Sequence, residues 1–287
     1  MFFSLSRNDP QYPSSLKEIK DPPDPLWCEG EAALLSQGLH VAVVGARECT
    51  SYGEKIAFEL AQGLARAGVT VVSGMALGID AAAHRGTLKE TGKTIAVLGC
   101  GIDIIALRKN RDLQKEVAAK GLVISEYAPG TQATPWTFPQ RNRLISGLSR
   151  GVVVVEARLK SGALITAEWA LQQGKEVFAV PGNLHSPLSE GTNRLIQQGA
   201  KLVTRVEDIL EELKYPACSR QLTLDSVPAS QEESPVLDLL SNGPCHVDEL
   251  VDRLGIPVEK LSSLLMQLEL SGQIGSLPGG QFERKNG

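Results

Sequence analysis

The sequence predicts an α/β fold: an extended Rossmann-like, mostly parallel sheet with flanking helices, followed by a small C-terminal winged-helix-like domain. Three observations carry that expectation. Short apolar runs, β-branched and apolar on both faces as in buried parallel strands, recur between residues 41 and 203. Helix-like stretches alternate with them, the pattern of β-α-β units. Residues 232–287 then change to a helix, a helix-turn-helix and a hairpin tip.

Taken in order, residues 1–39 are rich in Pro and acid, with DPPDP at 21–25, and predict an irregular arm packed on the core. Residues 40–213 form the Rossmann-like domain. Its predicted strands are VAVVG (41–45), VTVVSG (69–74), TIAVLG (94–99), GLVISE (121–126), GVVVVEA (151–157), EVFAVPG (176–182) and AKLV (200–203). Between them lie YGEKIAFELAQGLARAG, GIDAAAHRGTLKETG, QKEVAAKG, RNRLISGLS, ITAEWALQQG and NRLIQQG, each with helical spacing, and VEDILEEL (206–213) closes the domain. Periodicity is lost over 214–231, a linker. In 232–287 the third helix carries Glu259, Lys260 and Glu269, with no surplus of positive charge. A recognition helix must approach phosphates, so this unit predicts a protein-contact or regulatory role rather than DNA reading.

Composition bounds the class. The 287 residues allow roughly two domains, and 42% hydrophobic content with 5% aromatics makes an aliphatic core. No apolar run approaches the ~20 residues that cross a bilayer, and MFFSLSRNDPQYP lacks the features of a signal peptide, so no membrane association is expected. Five cysteines without a CxxC support neither a zinc site nor a disulfide framework, and a reducing cytoplasm is the expected location. The net charge of −4 hides an asymmetry: residues 40–205 carry +7 between acidic ends of −3 and −8. A basic middle suggests an anionic ligand.

Several motifs place cations and backbone N–H groups at the carboxyl ends of strands, where parallel sheets bind ligands. Gly45-Ala46-Arg47 turns tightly after the first predicted strand, and Arg47 can fork onto a phosphate. It is not a dinucleotide fingerprint, and no Walker-type loop occurs. Ser73, Gly74 and Gly78 can present N–H groups, while Asp80 and His84 share a helical face, explained by capping or an internal Asp–His hydrogen bond. FPQRNR (138–143) stands just before a predicted helix. Arg141 and Arg143 flank Asn142, with Phe138 and Trp136 upstream, and cations with aromatics are what single-stranded nucleic acid requires. The competing structural role is an arginine pair bridged to Glu126 or Glu156. Lys160, Ser161 and Gly162 open the next helix, and Gly182, Gly191, Asn193 and Arg194 repeat the theme. No nucleophile–base pair stands out.

Together VVGAR followed by SYG, SGMALGIDAAAH, TIAVLGCGID, FPQRNRLISGLS, SGALITAEWA, VFAVPG and GTNRLIQQGAKLV, with YPSSLKEIKDPPDPLWCEG upstream, resemble the DNA-processing protein A family, also called Smf, over roughly residues 8–210. The resemblance implies a non-enzymatic protein that binds single-stranded DNA without base specificity, forms a homodimer and hands DNA to the RecA recombinase during natural transformation. The family's glycine-x-arginine turn falls on Gly45 and Arg47, its FPxRNR stretch on Phe138, Arg141, Asn142 and Arg143, and its serine-glycine loop on Ser161 and Gly162. Members often have Tyr-Pro-x-x-Asn after the third strand. Here Ala106 and Leu107 replace the ring pair, Asn110 is kept, and Arg108 and Lys109 make the loop basic. The candidate DNA contacts are Gly45, Arg47, Ser73, Gly74, Arg108, Lys109, Phe138, Arg141, Asn142, Arg143, Lys160, Ser161, Gly162, Asn193 and Arg194, with no catalytic residue, metal or cofactor. Replacing Arg47 and Arg141 by alanine is expected to weaken binding and leave the fold intact. The alternative is a phosphoribohydrolase-like enzyme acting on nucleotides, but neither the paired glycines nor the catalytic Glu of its PGGxGTxxE motif is found.

Overall fold

The structure, a computed structural model, describes residues 1–90, 93–215, 233–240, 243–270, 273–277 and 279–284. The chain divides into two compact units, Met1–Ser219 and Arg220–Gly287.

In the first unit the chain runs β1 (Phe2–Leu5), α1 (Ser14–Lys17), β2 (Leu26–Gly30), β3 (His40–Val44), α2 (Ser51–Arg66), β4 (Thr70–Ser73), α3 (Ile79–Leu88), β5 (Thr94–Leu98), α4 (Arg111–Lys120), β6 (Leu122–Ser125), α5 (Thr137–Leu148), β7 (Gly151–Val154), α6 (Gly162–Gln172), β8 (Glu176–Ala179), α7 (Glu190–Gln197), β9 (Lys201–Leu202) and α8 (Val206–Glu212). The sheet order is β1-β2-β6-β5-β4-β3-β7-β8-β9. From β6 to β9 every pairing is parallel.

The central strands are buried on both faces. Val41, Val43, Val71 and Val153 pack with Ala57, Ala61 and Leu64 of α2, while Ala42, Val44, Val72 and Val152 pack with Leu144, Ile145 and Leu148 of α5. Each such Val or Leu contributes roughly 1.5–3 kcal/mol by leaving water. Helix α2 begins where Thr50 Oγ1 accepts from Gly53 N at 3.0 Å. It ends before Gly68, whose φ of 81° suits glycine.

The arm is not irregular. Strand β1 pairs antiparallel with β2, and β2 pairs antiparallel with β6, extending the sheet by two strands. Their residues alternate too briefly to stand out among prolines, and burial of Leu5, Leu16, Leu26 and Cys28 in the main core holds them there.

The second unit contains α9 (Glu233–Leu240), β10 (Cys245–His246), α10 (Val247–Leu254), α11 (Val258–Leu270), β11 (Ile274–Leu277) and β12 (Gln281–Arg284). The hairpin β11–β12 adds β10 on its other side, in the order β10-β12-β11. Leu240, Leu250, Leu261, Leu265 and Ile274 form its core. Gly255, at φ 65°, ends α10. Most of the linker expected at 214–231 lies outside the described residues. Among the described residues no helix is long and apolar enough to cross a membrane.

Candidate functional site

Strands β4 and β7 flank β3 on opposite sides, so the strand order reverses there. Loops leaving the carboxyl ends of neighbouring strands diverge at such a point and open a crevice. A cavity of about 530 Å³ occupies it, and Gly45, Arg47, Phe138, Arg141, Asn142, Ser161 and Gly162 all line it. Residues from three separate segments of the sequence thus line one cavity.

Local packing explains each position. A Cβ on Gly45 would lie 2.6 Å from Ile79 Cγ1 and 3.0 Å from the Glu156 carbonyl oxygen, so only glycine lets β3 end against α3. The turn is fixed by Ala46 N–H donating to that carbonyl at 2.8 Å. Arg47, exposed, lays its guanidinium 4.9 Å from the centre of the Phe138 ring, a cation–π contact worth about 0.5–1 kcal/mol at an exposed site. Ser161 Oγ accepts from Ala163 N at 3.3 Å and caps α6, while Asn142 Nδ2 donates to the Gly162 carbonyl at 3.1 Å, pinning that loop to α5.

Helix α5 begins at Thr137, ahead of FPQRNR rather than after it. Pro139 falls in its first turn, where an amide N–H has no intrahelical partner to lose. That shift carries Arg141 and Arg143 into the interior. Arg141 is 3% exposed, and its Nη1 donates to the carbonyls of Gly74 (2.7 Å) and Val97 at the ends of β4 and β5. It forms the floor of the cavity, not its mouth. Arg143 makes a two-pronged bridge to Glu126 at 2.9 and 2.7 Å and donates to the Asp21 carbonyl at 2.9 Å, fastening the arm to the core.

Glu156 does not bridge an arginine. Its carboxylate accepts from Thr50 N at 2.9 Å and Thr50 Oγ1 at 2.6 Å. It thereby fills the N-terminal end of α2, the seat that a nucleotide phosphate takes in dinucleotide-binding folds.

Other candidates divide into structural and exposed groups. Ser73 is fully buried and donates to the Val43 carbonyl at 2.7 Å; Gly74 N–H is committed to Asp80 Oδ2 at 3.1 Å. Neither offers a donor to a ligand. Asn193 holds Gly182 with both side-chain atoms, at 3.2 and 3.0 Å. Arg108, Lys109, Lys160 and Arg194 are exposed. Asn110 anchors the basic 108–109 turn by donating to the carbonyls of Met75 (2.9 Å) and Ala76 (3.0 Å), so the loop is fixed without the ring pair. Met75 itself holds a left-handed φ of 56°, local strain beside the cavity.

Asp80 and His84 do not pair with each other. Burial pushes the Asp80 carboxyl upward, while Arg141 and the N–H groups of Ala76 and Gly74 pull it back. A Cβ on Gly74 would meet both Arg141 Nη2 (2.6 Å) and Asp80 Oδ2 (2.7 Å), which is why that position is glycine. His84 Nδ1 lies 2.8 Å from Thr94 Oγ1, whose own proton goes to the Val71 carbonyl at 2.8 Å. Nδ1 is therefore the protonated nitrogen, and Nε2 is buried without a partner. Burial, and then the Arg141 charge, lower the His84 pKa to about 3. The folded state stays neutral there while the unfolded chain takes up a proton below its ordinary value near 6.5. Stability should be intact above that pH and fall as pH drops toward 3, by about 1.4 kcal/mol per unit. Urea midpoints of His84→Asn against the parent protein at pH 7, 5 and 4 test this: the variant's pH dependence is expected to be shallower, and parallel curves would exclude it.

Lining residues outside the candidate contacts include Thr134, Pro135, Ile145, Ala163 and Thr166. Thr166 follows Gly162, and Ile145 follows Arg141, by one helical turn, a spacing that signals a shared face.

The chain matches two family models. The one described as DNA recombination-mediator protein A covers residues 4–214, and the one described as DprA winged helix domain covers residues 220–280. It is 42% identical over 284 residues to Protein Smf of Escherichia coli, covering 94% of this chain and 74% of that one. The solved DNA processing protein A of Streptococcus pneumoniae superposes with a TM-score of 0.71 at 47% identity, covering 74% of each chain. That of Helicobacter pylori, solved for its single-stranded DNA binding mode, superposes with a TM-score of 0.67 at 34% identity, covering 75% of this chain and 96% of that one.

Proposed function

Because the chain belongs to the DNA recombination-mediator protein A family, we propose that it binds single-stranded DNA without base specificity, works as a homodimer and delivers the strand to RecA in the cytoplasm during natural transformation. The observation that carries the proposal is the convergence of Gly45, Arg47, Phe138, Ser161 and Gly162 on one cavity at the strand-order reversal. Arg47 supplies charge at its mouth. Leu107 and Asn110 line a smaller cavity that shares Arg47 and Phe138, so the basic 108–109 turn stands beside the same opening. The single-stranded DNA binding mode for which the H. pylori relative was solved supports a single-stranded ligand. With Glu156 already seated at the start of α2, a free nucleotide has no helix terminus to hold its phosphate there, which weighs against a nucleotide-processing enzyme.

Among the candidates the strand contacts narrow to Arg47, Arg108 and Lys109, with Lys160 and Arg194 as outlying cations. Ser73, Gly74, Arg141, Arg143 and Asn193 become supports. Oligo-dT anisotropy titrations over a range of salt are expected to give log K falling linearly with log salt, by roughly 0.7 per phosphate contact on a single strand. Arg47→Ala should weaken binding by about ten-fold at fixed salt and flatten the slope by about one contact. Unchanged affinity and slope in Arg47→Ala and in Arg108→Ala with Lys109→Ala would dismiss this surface. Co-sedimentation of the full chain with RecA tests the delivery step.

A further inference from the structure

Arg47, which lines the main cavity, stands on the turn that joins β3 to α2. One residue just beyond the neighbouring strand β7 holds both ends of that turn. The main-chain carbonyl of Glu156 accepts from Ala46 N at 2.8 Å, and its carboxylate accepts from Thr50 N at 2.9 Å and Thr50 Oγ1 at 2.6 Å. Ala46 and Thr50 bracket Arg47 in the chain. Glu156 is 4% exposed, whereas Arg47 reaches solvent.

Two glycines are fitted to this clamp. A Cβ on Gly53 would lie 2.4 Å from Glu156 Cδ and Oε2, so the first turn of α2 leaves room for the acid. At the start of α3, a Cβ on Gly78 would lie 2.4 Å from the Ala46 carbonyl oxygen and 2.6 Å from that of Arg47, and Ile79 N donates to the Ala46 carbonyl at 3.2 Å. The turn is thus fixed from the end of β7 and from the start of α3. An acid suits the first of these roles: an ionised carboxyl is acceptor-only, with an oxygen for each Thr50 donor, and it is favourable at a helix N-terminus.

Resting on the assignment of Arg47 to a strand phosphate, we infer that Glu156 is a positioning residue for DNA binding. By clamping residues 46–50 it presets the Arg47 backbone at the cavity mouth, while Phe138 receives the guanidinium. A cation already ordered in the free protein gives up less entropy when a strand arrives. By its charge alone, an anion beside that turn would oppose a polyanion. Charge and clamp therefore give opposite signs for its removal.

The test is a double-mutant cycle on the full chain, read by oligo-dT anisotropy. Glu156→Ala should weaken binding, by no more than the roughly ten-fold loss expected of Arg47→Ala, and flatten the salt slope. In the Arg47→Ala background it should cause no further loss, because the clamp acts through that side chain. Thr50→Val removes the hydroxyl from the exposed end of the clamp and keeps the buried acid; it should weaken binding less, with the same dependence on Arg47. Should Glu156→Ala lose its fold by circular dichroism, Thr50→Val decides by the same criteria. Tighter or unchanged binding, or an equal loss with and without Arg47, overturns the inference while the assignment of Arg47 stands. Full affinity in Arg47→Ala, or no binding by the parent protein, overturns both.

Discussion

Arg141→Ala is expected to destabilise the first unit by about 3–5 kcal/mol, the usual cost of leaving a buried charge without its partner. Arg141 lies beneath the cavity, donating to the carbonyl ends of β4 and β5, and its charge opposes the burial that drives Asp80 toward its neutral form. Without it two carbonyls lose a donor and Asp80 loses its nearest cation. The sign with pH is specific. A carboxyl raised above its unfolded value costs stability when ionised, and the cost is relieved as pH falls through the folded value. The deficit of the variant in urea melts should therefore be largest at neutral pH and shrink in mild acid. Asp80→Asn in the Arg141→Ala background should recover part of it, giving a measurable coupling energy. The expectation that the fold would survive Arg141→Ala is thus revised. A variant as stable as the parent, but unable to bind DNA, would return Arg141 to direct ligand contact.

Glu126→Ala is expected to cost a similar amount, about 3–5 kcal/mol. The Arg143–Glu126 bridge has side-chain exposures of only 7% and 9%, so the remaining guanidinium would stay buried with two carbonyl acceptors and no counter-charge. The exposed Lys120–Glu116 pair is the control: Glu116→Ala should change stability by no more than about 1 kcal/mol. Because Arg143 also grips the Asp21 carbonyl, amide exchange in residues 20–30 should accelerate in Glu126→Ala well beyond its effect on α2. Equal effects of the two substitutions would show that burial of this bridge is energetically idle.

Much of the site was legible residue by residue, but not the roles. Gly45, Arg47 and the Ser161–Gly162 helix start were readable because each depends on its own turn or cap. Arg141 and Arg143 were read as ligand contacts, with bridges to Glu126 or Glu156 as the competing role, because a basic pair beside aromatics looks the same in sequence whether it faces solvent or buried acceptors; of those bridges the structure holds Arg143–Glu126. Three of their carbonyl acceptors lie far along the chain, 67 positions to Gly74, 44 to Val97 and 122 to Asp21, while Glu126 is only 17 from Arg143. Glu156 finds Thr50 across 106 positions. The arm's two strands were hidden for a related reason, since each is stabilised by its antiparallel neighbour and by core burial more than by its own pattern.

What the sequence determined alone was the class of fold, the alternation of strands and helices from β3 to α8 and the winged-helix outline, because period, capping and turn chemistry act over a few residues; the family was legible in the ordered motifs that resemble it. Tertiary structure alone decided which cations remain available to a phosphate. Availability depends on burial and on acceptors brought together by chain closure: Arg141 and Arg143 spend guanidinium N–H groups on such acceptors, whereas Arg47 stays exposed.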